Sequence, residues 1–221
     1  MTEMTKKDLG GASPPALWDR VVRVSHWGIA AVVFGNEVFT RGGSAAHVWI
    51  GWIGMILLVV RLIWGVTGPR EARFSAFPPD PKAAVGHTRD LLAGKPRLYG
   101  SHNPAGAIMV YALWAAMAVM MATGFYMSGP NPFVAGQQEA AVNSDDWSKL
   151  GTTDAESSAG DLVKMVHGAV ANLILLLVSL HVGGVFIEGL VMRRNLVLPM
   201  VFGDRKAGIA GSAMERNDRD A

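Results

Sequence analysis

Cysteine is absent from all 221 residues. This excludes disulfides, thiolate metal sites, cysteine-ligated iron–sulfur clusters and haem attached through a C-x-x-C-H motif, so any redox group must rely on histidine, methionine or oxygen ligands. Charge is also scarce where it matters: Asp, Glu, Lys and Arg form 17% of the chain and fall mostly between long apolar runs. No small-residue cleavage pattern follows the first of these runs. No removable signal peptide is therefore expected, and that run should remain in the membrane. No internal repeat stands out.

What is present has the composition of a polytopic membrane protein: half of the residues are hydrophobic, and the mean hydropathy is +0.26. Four runs, at about 21–40, 47–66, 105–128 and 163–190, are each long enough at 1.5 Å per residue to cross roughly 30 Å of hydrocarbon. The expected fold is all-α, an integral membrane four-helix bundle over residues 17–203. Residues 1–16 read as a flexible lead and 204–221 as a disordered tail. All of the 20 lysines and arginines except Arg41, Lys149 and Lys164 fall on the side that holds both ends and the connection between runs two and three. By the positive-inside rule that side, with both termini, is cytoplasmic. The connection over 129–162 then faces outward. It is acidic, with Glu139, Asp145, Asp146, Asp154, Glu156 and Asp161, and reads either as a surface that steers a basic partner or as a solvated loop.

Four of the six histidines lie within or at the ends of the apolar runs. His167 and His181 are fourteen residues apart on the last run, which on a helix sets both rings on one face about 21 Å apart. The turn at Arg41–Ala46 is short, so runs one and two are antiparallel neighbours. His26 then shares the cytoplasmic depth of His181, and His47 shares the outer depth of His167. Ionisable groups inside a membrane normally mark function. Two depth-matched histidine pairs suit axial ligation of two haems, each iron cycling between oxidation states with little rearrangement. Zinc is disfavoured, since its structural sites need ligands converging on one point. Gly51 and Gly54, at i+4 and i+7 from His47, would leave a flat surface for a macrocycle, although small residues also line ordinary helix contacts in membranes.

Arg61 is a candidate for neutralising a haem propionate, with positive-inside anchoring as its alternative. Arg20 reads as an anchor. Glu37 reads as an interfacial carboxylate, and the methionines of run three, Met109, Met117, Met120, Met121 and Met127, as packing. His87 and His102, in the connection between runs two and three, are expected to be solvent-exposed. The segment near 82–93 reads either as a short interfacial helix or as an ordinary solvated loop made basic by topology.

Val24-Ser25-His26-Trp27, the His47-centred opening of run two ending in Leu58-Val59-Val60-Arg61-Leu62, and the His167-to-His181 interval with Ala171-Asn172-Leu173 together resemble the bacterial cytochrome b561 and nickel-iron hydrogenase b-type cytochrome family over about residues 17–203. The resemblance implies a four-helix dihaem cytochrome with two non-covalent haem b groups. It assigns His26 and His181 to the cytoplasmic haem and His47 and His167 to the outer one. It further implies electron transfer in the bacterial inner membrane between quinone or quinol and a redox partner, such as a periplasmic c-type cytochrome, a hydrogenase or another reductase. An electron-transfer subunit is favoured over a stand-alone enzyme. Membrane lipid is the surroundings, and no nucleic-acid partner is expected. Two other classes stay open: a self-sufficient quinol oxidase using a small oxidant such as superoxide, and a haem-free transporter or scaffold.

Overall fold

A computed structural model describes residues 19–95, 99, 102–129, 158–193 and 195–203. The lead over 1–16, the tail over 204–221 and nearly all of the acidic outward connection lie outside the described residues. The elements in order are α1 (Arg20–Phe39), α2 (Ala45–Thr67), two single 3-10 turns at Arg70–Ala72 and Phe74–Ala76, α3 (Pro81–Leu92), α4 (Pro104–Ser128), α5 (Ser158–Met192) and α6 (Val197–Phe202).

Helices α1, α2 and α4 each begin where the sequence supplies a cap. Asp19 accepts from the Val22 amide at 2.9 Å, Ser44 from the His47 amide at 3.3 Å, and Asn103, ahead of Pro104, from the Gly106 amide at 2.6 Å. Such caps satisfy donors that the helix itself leaves unpaired. The α1–α2 turn passes through Gly43 at φ 78° and α4 stops at Gly129 at φ 71°, both in the left-handed region that glycine enters without steric cost.

The molecule is inverted relative to a water-soluble bundle. Its buried apolar core is small, while Phe34, Ile53, Ile56, Ile63, Met165, Leu176, Leu180, Phe186 and many similar side chains point outward. A surface of this kind is matched to lipid rather than to water. On length and composition α2, α4 and α5 are each able to cross a membrane. Helix α1 is more polar, because it carries Arg20, Arg23, His26, Asn36 and Glu37, but its 20 residues reach about 30 Å. It packs along α2, as α5 does along α4, and α2 touches α4.

Leu58, Ala116, Met117 and Ile174 form the buried centre, ringed by Ile29, Val33, Leu62, Met120, Met121, Val170 and Leu177. All four long helices contribute. Ile174 lies seven residues from His167 and seven from His181, so this apolar knot occupies the middle depth of the bundle.

The connection after α2 does not hang free. The Phe74 ring seats on the Gly65 face of α2 and meets Trp114 of α4 with ring centroids 4.9 Å apart. Helix α3 follows, capped by Asp80, and packs against α4. At the same end α6 lies across α1, where Arg23 donates to the Val201 carbonyl at 3.2 Å and Trp27 to the Met200 carbonyl at 3.2 Å. Trp64 of α2 donates to the Asp19 carboxylate at 2.9 Å, tying the same ends of α1 and α2 together.

Candidate functional site: two histidine pairs

The four histidines meet as two pairs. His26 of α1 and His181 of α5 place their ring centroids 6.3 Å apart; His47 of α2 and His167 of α5 place theirs 6.2 Å apart. Neither spacing lets the two rings hydrogen-bond directly. It is the spacing of two imidazoles that share one metal: a metal–nitrogen bond of about 2 Å on each side, plus about 1.1 Å from nitrogen to ring centre, gives about 6.2 Å. Among the described residues no three His, Cys, Asp or Glu side chains converge as a metal-binding group, and each histidine pair by itself offers two imidazole donors, fewer than the four of a tetrahedral cage.

Several glycines near the histidines in sequence leave open space at their own backbone. A Cβ added at Gly51, one turn from His47, would meet nothing within 4 Å, and the same is true at Gly168, Gly183 and Gly184 next to His167 and His181. Gly54 behaves differently: a Cβ there would lie 2.7 Å from Val32 and 3.1 Å from Met121. The two glycines share a helix face, yet one opens beside the histidine pair and the other is consumed by helix packing. A planar macrocycle carrying an iron between each pair fits these observations.

Polar partners of the rings lie at the outer pair. The His47 Nδ1 is 3.3 Å from the Thr40 hydroxyl, and the His167 Nδ1 is 2.8 Å from the Thr123 hydroxyl. The His47 backbone carbonyl accepts from Asn36 at 3.2 Å. At the other pair, His26 meets Trp27 edge-on at 5.3 Å, and its buried Nδ1 has no partner among the described residues. Neither threonine carries a sequence signal. Each is separated from its histidine by a turn or by many residues, and a hydroxyl on a helix ordinarily bonds its own backbone.

Arg61 is 6% exposed. Its guanidinium carbon sits 4.9 Å above the Trp114 ring, and its Nη1 is buried without an acceptor. A buried cation with an unsatisfied donor is costly unless an anion completes it.

His87 and His102 are corrections. Both were expected to be exposed, but His87 is 3% exposed and packs against Tyr99 at 5.2 Å. His102 sits 4.3 Å from the Phe77 ring. Burial, and then the positive charge of Arg61 and the nearness of His181 and His26, push the His102 pKa down from 6.5 to about 4. The aromatic strap of Phe74 and Phe77, folded onto Tyr111 and Trp114, brings His102 to the His26–His181 end of the bundle. Of the two readings of the segment near 82–93, the structure shows the helix, α3. Glu188, unremarkable in the sequence, accepts a 2.6 Å hydrogen bond from Asn103 and so joins the start of α4 to the end of α5.

A pH dependence follows from His102. With its folded pKa at about 4 against 6.5 when unfolded, the unfolded chain binds the extra proton between those values. Stability conferred by the neutral ring is complete above pH 6.5 and is lost as the pH falls from 6.5 to about 4, by on the order of 3 kcal/mol. Thermal melts of the detergent-solubilised protein should therefore show a steeper fall across that window than melts of His102→Gln. Parallel curves for the two proteins would disprove the assignment.

Over residues 17–203 the chain matches the family model described as prokaryotic cytochrome b561. Neither the curated proteins nor the solved structures provide a match.

Proposed function

The chain belongs to the prokaryotic cytochrome b561 family, four-helix di-haem b electron carriers of the inner membrane, and from that premise we propose that it conducts electrons through two non-covalent haem b groups, between the quinone pool and a redox partner. His26 and His181 would hold one haem and His47 and His167 the other. The observation that carries the reading is the separation of the two ring pairs, 6.3 and 6.2 Å, at the two ends of a single stretch of α5.

Haem at each pair would supply reversible one-electron chemistry between ferric and ferrous iron. The chain's own residues set the conditions. Helix α5 gives one ligand to each level and so fixes their spacing at about 21 Å. Helices α1 and α2 run antiparallel and deliver the opposing ligands from opposite ends. The apolar centre around Leu58, Met117 and Ile174 keeps water out between the levels.

Arg61 is the natural counter-charge for a propionate at the His26–His181 level, since its unsatisfied Nη1 and buried position call for an anion. Its positive charge there would favour the reduced state. Arg61→Gln should lower the midpoint potential of that haem alone; a tenfold change in the oxidised-to-reduced ratio corresponds to about 59 mV. Potentiometric titration that finds both midpoints unmoved would rule out this contact.

The basic residues at the α1 start, the α2–α4 connection and the α5 end support placing the His26–His181 level on the cytoplasmic side. The partner would then be met at the outer face by the His47–His167 level. The partner reading favours a periplasmic c-type cytochrome, a hydrogenase or another reductase.

The test of the function is a dithionite-reduced minus oxidised visible spectrum of the purified protein, with haem measured per chain. Two low-spin b-type haems per chain are expected. A folded, colourless protein would instead favour a transporter or scaffold, and rapid quinol oxidation by superoxide without any partner protein would favour a self-sufficient oxidase.

A further inference from the structure

We propose that Thr40 and Thr123 are positioning residues for the outer histidine pair: each accepts the Nδ1–H of its histidine, leaving Nε2 as the ligating nitrogen and setting the outer iron at a lower potential than it would otherwise have. The inference rests on haem ligation by His47 and His167.

The single proton each hydroxyl owns, together with the backbone carbonyls beside it, favours one direction for the two hydrogen bonds. Thr123 Oγ1 lies 2.8 Å from the Val119 carbonyl and 3.0 Å from the Met120 carbonyl. Both are acceptors, and a hydroxyl proton given to either of them leaves the oxygen lone pairs to face the ring. Its remaining contact, 2.8 Å to His167 Nδ1, is then one in which the ring nitrogen donates and the oxygen accepts. Thr40 repeats the arrangement at the end of α1. Its hydroxyl donates toward Asn36, whose backbone carbonyl is at 2.8 Å and whose side-chain oxygen is at 3.4 Å. Its lone pair faces His47 Nδ1 at 3.3 Å. Asn36 completes the clamp by donating to the His47 carbonyl at 3.2 Å, so that backbone and ring of this histidine are both held from α1.

A proton on Nδ1 means a lone pair on Nε2, the tautomer a metal needs; a hydrogen bond donated from the distal nitrogen also raises the basicity of the ligating one. Stronger donation favours the ferric state. Both outer ligands have such a partner, supplied by two different helices. At the inner level the His26 Nδ1 is buried and without a partner among the described residues. The two levels are thereby made chemically unequal by hydroxyl groups that touch no haem.

The experiment compares Thr40→Val, Thr123→Val and the double variant with Thr40→Ser and Thr123→Ser in the full haem-loaded protein. Valine keeps the shape and removes the oxygen; serine keeps the oxygen and removes the methyl. Haem per chain, potentiometric midpoints and the low-spin ferric g values are read, the outer signal being the one that His47→Ala removes. At an ambient potential equal to the native outer midpoint, the double valine variant should shift the reduced-to-oxidised ratio of the outer haem about tenfold toward reduced, equivalent to about 59 mV. Its g values should move, the inner haem should stay put, and the serine variants should match the native protein. Where a valine variant loses outer haem, restoration by serine carries the same meaning. Effects that follow the methyl group, that move both haems alike, or that are absent while two haems remain bound would overturn the assignment. A native protein without haem would instead overturn the functional reading on which it rests.

Discussion

Replacing His181 by alanine is expected to reduce bound haem from two per chain to about one, with the surviving spectrum and potential belonging to the outer site. The expectation comes from the layout of α5. His181 pairs with His26 at 6.3 Å, and the apolar centre at Ile174 lies between this pair and the outer one, about 21 Å away along α5. Mutations that far apart, with no shared partner, ordinarily act independently. His26→Ala should produce the same phenotype, and His47→Ala or His167→Ala its complement. The measurement is a pyridine haemochrome assay combined with redox titration on each variant. Proportional loss of both haems from every variant would show that the histidines support the fold as a whole rather than two separate sites.

The second large effect is expected from a pair of glycines that look alike in sequence. At Gly51 an added side chain would enter open space beside His47, whereas at Gly54 it would run into Val32 at 2.7 Å and Met121 at 3.1 Å. Gly51→Leu should therefore evict the outer haem while leaving the inner haem and the helical fold intact. Gly54→Leu should overpack the α1–α2–α4 contact at a cost of about 1–3 kcal/mol, lowering the thermal midpoint and the yield of both haems together. Circular dichroism melts with haem quantification separate the two. Gly51→Leu that keeps two haems would mean that the space beside His47 belongs to lipid.

Helical arithmetic made much of this legible before any coordinates. A fourteen-residue interval puts His167 and His181 on one face because four turns of 3.6 residues nearly close it, and a short turn makes α1 and α2 antiparallel. From these two facts the meeting of His26 with His181, and of His47 with His167, follows. The all-helical architecture was readable for the same reason, since apolar runs of spanning length have few alternatives in a bilayer.

Contacts made at long range were not legible. His102 looked exposed because it stands in a proline-bearing, basic connection, yet Phe74 and Phe77 fold that connection against Tyr111 and Trp114 and carry His102 inward. His87 is buried on α3, with its ring against Tyr99. Thr40 and Thr123 were invisible because a threonine in a helix is usually satisfied by its own backbone; only in the folded chain does each oxygen gain a second neighbour. Periodicity likewise treats Gly51 and Gly54 as equivalent. What distinguishes them is the position of Val32 on another helix.

The apolar knot at Ile174 has an electrical consequence. It lies between two histidine levels about 21 Å apart along one helix, and a low-dielectric layer in that position would carry a share of the membrane voltage. An electron moved from one histidine level to the other traverses about two-thirds of a hydrocarbon layer of roughly 30 Å, so each 100 mV of membrane potential changes the energy of that transfer by about 1.6 kcal/mol. On the proposed orientation, with the cytoplasm negative, passage toward the His26–His181 level would be work against the field and passage outward would be assisted by it. On the proposed function, charge separation between the two levels would be coupled to the energised state of the membrane through distance alone.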